Sequence, residues 1–424
     1  AGAPTVTART LRNILIALIL IPVLLYGAAG VLLSQGKTLG ARHALPDTEP
    51  FDFTNGSFDD YVAHARRTLQ QARLDTPSTE VIDNLAPFVF EPDATCPRAE
   101  SGKYAKGAVL IHGLFDSPYS MRPFGEALRA QCFYVLGLLL PDHGTRPGDF
   151  LDARWQDWAD ATHFATTQLA QHADSVFLAG HSAGGTLALL EAARNPDVDA
   201  LILFAPALGI TPAAKYARYV RLVGKVFNGA AWYEVRPDDA VYRYESLTFH
   251  SAAEMYALIE ATKEALANES RQLPVFTVAS MQDNTVSAQE ILDYMKSNTH
   301  PASRTLLYSQ YPYPGNERTE VVMSSAPVQR VLSVSHLGLM TPPGDPHYGR
   351  GGRYRNCGHY GDQENPQYVQ CKSGRRAFYG EATPDNLSQG LLERIAFNPF
   401  YDAMLESMAD FLRSAVPETE QEAR

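Results

Sequence analysis

Basic residues are in deficit. The chain has 36 Lys and Arg against 47 Asp and Glu, a formal net charge of −11 over 424 residues, and no long basic run interrupts that balance. Such a chain has no global electrostatic reason to bind nucleic acid. No segment recurs at a fixed period and no tract is of low complexity, so solenoid and disordered architectures drop out. Cysteine is scarce, with four residues in all. What remains is an ordinary globular composition, long enough for one large domain with additions or for two ordinary ones.

One long uncharged run stands apart. From Ile14 to Leu33 the sequence reads ILIALILIPVLLYGAAGVLL, and 20 helical residues rising ~1.5 Å each span a hydrocarbon core of ~30 Å. This predicts a transmembrane helix, with Pro22 tolerated inside it. Arg9 and Arg12 precede the run and place the N-terminus in the cytoplasm, although Lys37 and Arg42 follow it. The rest of the chain is then extracytoplasmic, periplasmic in a bacterium. The rival is a cleaved signal peptide ending at the small residues before Val31, but the run is longer than a usual signal core. A buried soluble helix would rarely be apolar on every face for so long.

The cysteines, Cys96, Cys132, Cys357 and Cys371, fit an exported domain, where an even count suggests disulfides. Of three connectivities, Cys96–Cys132 with Cys357–Cys371 is the one expected here, the second closing a short loop. Four reduced, buried thiols are the plain alternative. A zinc site from Cys357, His359, Cys371 and His347 matches no familiar ligand spacing, and no metal is expected.

After a polar, proline-containing stalk to about Pro50, SFDDYVAHARRTLQQARL predicts an amphipathic helix. Ser57 caps it, Asp60 lies three residues on, and Phe58, Tyr61, Ala65 and Leu69 recur at helical spacing. From about Gly107 short apolar runs alternate with helical ones: GAVLIH, CFYVLGLLLP, SVFLAG, DALILFAP and PVFTVAS read as buried strands. Strands apolar throughout and separated by helices indicate a mostly parallel sheet covered on both faces. The alternation is broken twice. Residues 207–273, rich in helix formers and aromatics, are expected to form a cap. The segment from 341 to about 390 is rich in Gly, Tyr and Arg and holds two cysteines, as an excursion stapled by a disulfide.

The predicted organisation is therefore 1–13 cytoplasmic, 14–33 membrane-spanning, 34–105 stalk and helical extension, 106–206 and 274–340 the two parts of the core. Residues 207–273 are the cap, 341–390 the insertion, and 391–424 the final helix and polar tail.

Within SVFLAGHSAGGTLALLEAARNP, residues Gly180, His181, Ser182, Ala183 and Gly184 form a G-x-S-x-G pattern. Alone the pattern is weak. Here a buried strand enters, a helix leaves, and Ser182 occupies the turn, which is the setting of a nucleophile elbow. Small neighbours suit such a turn because side chains at Gly180 or Gly184 would collide with the adjoining strand or helix. A serine hydroxyl needs a base, and the base needs an orienting acid. PVFTVASMQDNTVS puts Asp283 just beyond a predicted strand, and RVLSVSHLGLM puts His336 at the end of another. Asp283 could instead merely cap the helix SAQEILDYMKS, but Asp293 is mid-helix and worse placed. His347 and His359 lie in the polar excursion, and His181 is expected to pack beside the elbow. Donors for a developing oxyanion are expected from the backbone amides of Ala183 and Leu114, with Phe115 second, in the loop HGLFDSPYSMRP. Gly113 lets that loop come close, and His112 is read as structural.

The ordered set LIHGLFDSP, LLLPDHGTRPGD, GHSAGG, ASMQDNTVS and SVSHLG resembles the α/β-hydrolase family of serine esterases, particularly its carboxylesterase and monoacylglycerol-lipase-like branch, over about Lys106 to Met340 plus the final helix. The resemblance implies an α/β-hydrolase fold with an eight-stranded mostly parallel sheet, no metal or organic cofactor, and hydrolysis of carboxylic esters through an acyl-serine. It also implies that Asp142 and His143 hold loops and do not react. The Asp283-to-His336 interval is longer than compact members need, and the cysteine-bearing insertion follows the histidine. These departures bear on substrate, as do Phe115, Tyr119, Trp232 and Tyr233, which are either pocket lining or core and cap packing.

The expectation is a membrane-anchored serine ester hydrolase with Ser182, His336 and Asp283 as triad. Its partners are a bilayer through residues 14–33 and a small acyl ester. An acyltransferase or thioesterase would use the same triad, and a vestigial hydrolase-fold subunit of a membrane-protein complex is the reading from a different class.

Overall fold

A computed structural model of the protein describes residues 24–75, 77–210, 212–374 and 376–415. Residues 1–13, the first ten residues of the predicted span, and the polar tail from 416 lie outside the described residues. From 24 to 34 the chain is helical, and among the described residues no helix is long and apolar enough to cross a membrane.

The centre is one eight-stranded sheet. Its strands, in a chain that also carries two small strand pairs, are β1 (Phe88–Phe90), β2 (Tyr104–Ile111), β3 (Phe133–Leu138), β4 (Ala173–His181), β5 (Val198–Phe204), β8 (Val275–Ser280), β9 (Arg304–Ser309) and β10 (Thr319–Met323). The spatial order is β1-β3-β2-β4-β5-β8-β9-β10, parallel throughout except for β1. The small pairs are β6 (Trp232–Glu234) with β7 (Leu247–Thr248), and β11 (Phe378–Gly380) with β12 (Leu392–Arg394). The α/β-hydrolase fold is thus present, and the inner strands are apolar on both faces because helices cover them.

Register explains where chemistry can occur. Ile111 is level with Leu138 on one side and Gly180 on the other, His181 with Phe204, and Phe204 with Val278. The carboxyl ends of β2, β4, β5 and β8 therefore form one rim, where open α/β sheets bind ligands.

Four features differ from the sequence reading. The sheet begins before residue 106, because β1 belongs to the extension and adds the antiparallel edge. The cap is shorter: helix Phe249–Asn268, placed in it by composition, packs on helices Trp155–Ala170 and Ala183–Arg194 of the core. A parallel step from β5 to β8 needs a covering helix, and this one serves. β9 and β10, not anticipated, extend the sheet beyond β8. His336 does not end a strand; it lies in a short 3-10 turn, His336–Gly338, reached by a loop after β10 that is exposed at Pro327, Val328 and Gln329 and buried from Ser333 to Ser335.

The extension follows its periodicity. Helix Phe58–Ala72 buries Phe58, Tyr61, Ala65, Leu69 and Ala72, and Ser57 and Asp60 close a reciprocal capping box worth about 1 kcal/mol. Disulfides Cys96–Cys132 and Cys357–Cys371 link the two expected pairs, so Cys357 and Cys371 cannot act as thiolate ligands. The second lies inside the late insertion, whose buried cluster includes Tyr368.

Candidate active site

Ser182 sits between β4 and helix Ala183–Arg194 with φ 53° and ψ −115°, a conformation costly for a residue with a side chain. Neighbouring backbone holds it there. Ser182 N–H donates to Phe204 O at 2.9 Å, and Ser182 O accepts from Thr186 N–H and Ala207 N–H, both at 3.1 Å. The elbow is tight enough that a Cβ on Gly180 would lie 2.2 Å from Gly184 O, and one on Gly184 would lie 2.1 Å from Ile111 O. Ser182 is 9% exposed, and its Oγ makes no hydrogen bond among the described residues.

Asp283 and His336 meet although 53 residues apart, with His336 Nδ1 2.6 Å from Asp283 Oδ2. Both side chains are buried, at 3% and 1% exposure. The other Asp283 oxygen accepts from the N–H groups of Thr285 at 2.8 Å and Val286 at 3.0 Å. The turn-shaping role therefore coexists with the contact to histidine, and Ser287 caps the following helix. Burial pushes the Asp283 carboxyl up, but the His336 charge, the bond from its ring and the two amides outweigh it, and the net shift is downward. An ionised Asp283 accepts the Nδ1 proton and leaves Nε2 as the acceptor nitrogen.

His336 is set against the elbow through His181. His181 Nε2 lies 3.1 Å from His336 O, and the two rings are 4.8 Å apart. His181 is buried, and burial first, then the neighbouring His336, holds its pKa well below the usual histidine value. It is thereby a neutral packing and orienting group.

The loop after β2 abuts the serine: a Cβ on Gly113 would lie 3.3 Å from Ser182 Cβ and 2.9 Å from His181 Nδ1. Phe115 takes φ 65°, so the loop turns sharply there. Among the described residues the amides of Leu114, Phe115 and Ala183 donate to no protein group, leaving all three predicted donors unused. His112 is structural, accepting from Leu140 N–H at 3.0 Å through Nε2 while Nδ1 lies 2.9 Å from Gly113 O. Burial lowers its pKa to about 4. The neutral imidazole ties the loop after β2 to the one after β3. In that second loop Asp142 accepts from Trp158 Nε1 at 3.2 Å, and His143 Nδ1 contacts Pro141 O at 2.8 Å.

The remaining candidate side chains are engaged in other contacts. His347 packs among Tyr119, Tyr242, Tyr348 and Tyr354, and His359 is against Tyr360. Asp293 accepts from Gln289 on its own helix. Phe115 packs on Phe150 and Tyr119 stacks on Tyr242. Trp232 is buried against His43, and Tyr233 is 63% exposed. Among the described residues no group of three or more His, Cys, Asp or Glu is arranged to hold a metal ion.

Sequence reasoning missed a support. Glu381, fully buried in the late insertion, accepts from His336 N–H at 3.3 Å and is gripped by Arg394, with Nε to Oε1 2.6 Å and Nη2 to Oε2 3.0 Å. Arg394 also donates to Thr285 Oγ1 at 2.8 Å and Asn284 Oδ1 at 3.1 Å. One ion pair thus fixes both the histidine backbone and the turn carrying Asp283. Ser280 adds to this by donating to Val334 O at 2.9 Å. An acid in a polar excursion and an arginine just beyond it carry no periodicity or spacing that would single them out.

A strained serine between a parallel strand and a helix, with an acid–imidazole pair beside it, thus lies at the rim of an α/β-hydrolase fold. Residues 103–311 match the family described as serine aminopeptidase, S33. The chain is 28% identical over 195 residues to the thermostable monoacylglycerol lipase of Bacillus sp. (strain H-257), covering 44% of this chain and 74% of the lipase. It is also 25% identical over 133 residues to a probable alcohol acetyltransferase of Saccharomyces cerevisiae, covering 30% of this chain and 39% of that protein. Among solved structures, the Paleococcus ferrophilus monoacylglycerol lipase aligns over 53% of this chain and 88% of its own, with TM-score 0.41 and 16% identity.

Proposed function

We propose that the protein is a serine ester hydrolase that works through an acyl-serine. His336 Nε2 takes the proton of Ser182 Oγ as the hydroxyl attacks the ester carbonyl. Asp283 orients the imidazole and stabilises the imidazolium. The amides of Ala183 and Leu114 receive the oxyanion, and His336 passes the proton to the leaving alcohol before activating the water that frees the acyl group. The observation that carries this is the 2.6 Å pairing of His336 with Asp283 against a strained Ser182 elbow. Turnover of a chromogenic short-chain ester tests it: Ser182→Ala is expected to lower kcat by roughly 10⁴-fold or more with an unaltered melting curve. Unchanged turnover would remove the mechanism. The likeness to a protein named as a probable alcohol acetyltransferase favours adding short alcohols to that assay, since an acyl-serine can also be released to an alcohol.

The same proposal includes anchoring through residues 14–33, with the hydrolase domain outside the cytoplasm. In its support, Leu24, Leu25, Val31 and Leu32 are 56–69% exposed, while the Gly30 face of that helix lies against Phe227 of the cap. Two disulfides suit an oxidising compartment. Recovery of the full chain in a high-salt wash, free of membranes, would count against the anchor.

A further inference from the structure

The cap segment Tyr242–Tyr244 is fastened to the loop after β2. Tyr244 N–H donates to Phe115 O at 2.8 Å, Ser117 Oγ donates to Tyr242 O at 2.7 Å, and Tyr242 stacks on Tyr119 with centroids 3.9 Å apart. Arg243, between the two fastenings, is therefore held beside Asp116, on the loop that carries the unused amides of Leu114 and Phe115.

Arg243 has no hydrogen-bonded partner among the described residues. Among the described residues its guanidinium makes no hydrogen bond and no ion pair within 4.0 Å, and its Nε is enclosed. Around it stand the carboxyl groups of Asp116 and Glu245 and the phenols of Tyr354 and Tyr348, and against the pull of burial this setting raises the Arg243 pKa. Glu245 is already engaged, accepting from Tyr354 Oη at 2.6 Å and from Asp239 N–H at 2.7 Å. Asp116 faces His336 as well as Arg243, and burial pushes its carboxyl up against the pull of both. Tyr348, from the insertion after His336, is 5% exposed, and its Oη has no partner. Two separate insertions thus bring donors without acceptors together at Asp116, on the loop that carries the Leu114 and Phe115 amides. A guanidinium with no hydrogen-bonded acceptor keeps its planar fork free, and that fork matches carboxylate and phosphate oxygens.

We propose that Arg243 and Tyr348 bind an anionic group, a carboxylate or a phosphate, carried by the substrate ester close to its scissile bond. The inference rests on the reading of Ser182 as the nucleophile. It sets this chain apart from an enzyme for neutral glycerides.

Two matched pairs of substrates test it. Mono-p-nitrophenyl adipate against p-nitrophenyl hexanoate puts the charge on the acyl side. A 1-acylglycerol 3-phosphate against the 1-acylglycerol of the same chain puts it on the alcohol side. The full-length protein is expected to favour the anionic member of at least one pair in kcat/KM. In Arg243→Gln that preference falls by roughly 10- to 100-fold, in Arg243→Lys by less, and in Tyr348→Phe by about 3-fold. Preference for the neutral member in both pairs, or an Arg243→Gln ratio within about twofold of wild type, would overturn the proposal. If Arg243→Gln fails to fold, protection of the wild-type protein decides. Adipate or glycerol 3-phosphate should slow fluorophosphonate labelling where hexanol and glycerol do not, and equal effects would overturn it. Absence of labelling at Ser182 would instead sink the parent reading, whereas a labelled Ser182 without charge preference sinks this one alone.

Discussion

Replacing Gly184 by alanine tests how the elbow sets the spacing of its donors. Gly184 is the second residue of helix Ala183–Arg194, and its α-carbon faces the end of β2. An added Cβ would meet Ile111 O at 2.1 Å and His112 O at 2.6 Å. Both contacts are backbone, so no rotamer relieves them, and the helix start must withdraw by about 1 Å to reach ordinary contact distance. Overpacking of this kind costs about 1–3 kcal/mol. The shift also has a direction. It separates Ser182 and the Ala183 amide, on the helix, from the Leu114 amide, on the loop that continues from Ile111 and His112. A misplacement of about 1 Å in a catalytic constellation lowers rate by roughly 10²-fold, and the loss should fall in kcat more than in KM because ground-state binding does not require both donors. Ester hydrolysis under saturating substrate, beside a thermal melt, measures both effects. Gly344→Ala is the control, since a Cβ there meets nothing within 4 Å. A folded Gly184→Ala protein with wild-type kcat would refute the reasoning.

Two further outcomes follow from buried charge. Asp149, pushed up to about 8 by burial first and then by Asp142, holds its proton in the folded state over a range where the unfolded chain has lost it. The folded state then binds more protons than the unfolded one between about pH 4 and 8, so stability from this group is full below about pH 4 and is lost as pH rises to 8. Asp149→Asn should therefore gain on wild type by about 1–3 kcal/mol between urea titrations at pH 5 and pH 8; a constant gap would show a carboxylate already ionised when folded. Arg394→Met leaves the fully buried Glu381 without its counter-charge and should cost about 3 kcal/mol or more. It should also lower kcat, because His336 and the Asp283 turn lose a common support. Wild-type urea stability in this variant would remove Glu381 and Arg394 from the account.

Much of the core was legible because its signals are local. Strands apolar on both faces, separated by helical periods, are written as such in β2, β3, β4, β5 and β8, and the small residues around Ser182 report a turn that nothing larger could enter. Asp283 was legible from its place after a strand. His336 was picked on a partly mistaken ground: VLSVS alternates like a strand, yet its polar side chains bind other segments, as when Ser333 Oγ accepts from Glu381 N–H at 3.0 Å. The edge strands β1 and β10 are short and partly exposed, β9 is buried beyond Arg304, and the pairing of all three is a tertiary fact. Helix Phe249–Asn268 was assigned to the cap because composition does not say which layer a helix joins. Glu381, Arg394 and Arg243 escaped notice for the same reason: each acts through partners brought near only by the folded insertions.

The central claim is that Ser182 is a nucleophile activated in place. The direct measurement is mass spectrometry of peptides after exposure of the folded protein to a fluorophosphonate. The account predicts one stoichiometric adduct on Ser182, absent after denaturation and strongly slowed in Asp283→Asn. An unmodified Ser182 in folded protein, or modification at another residue in its place, would contradict it.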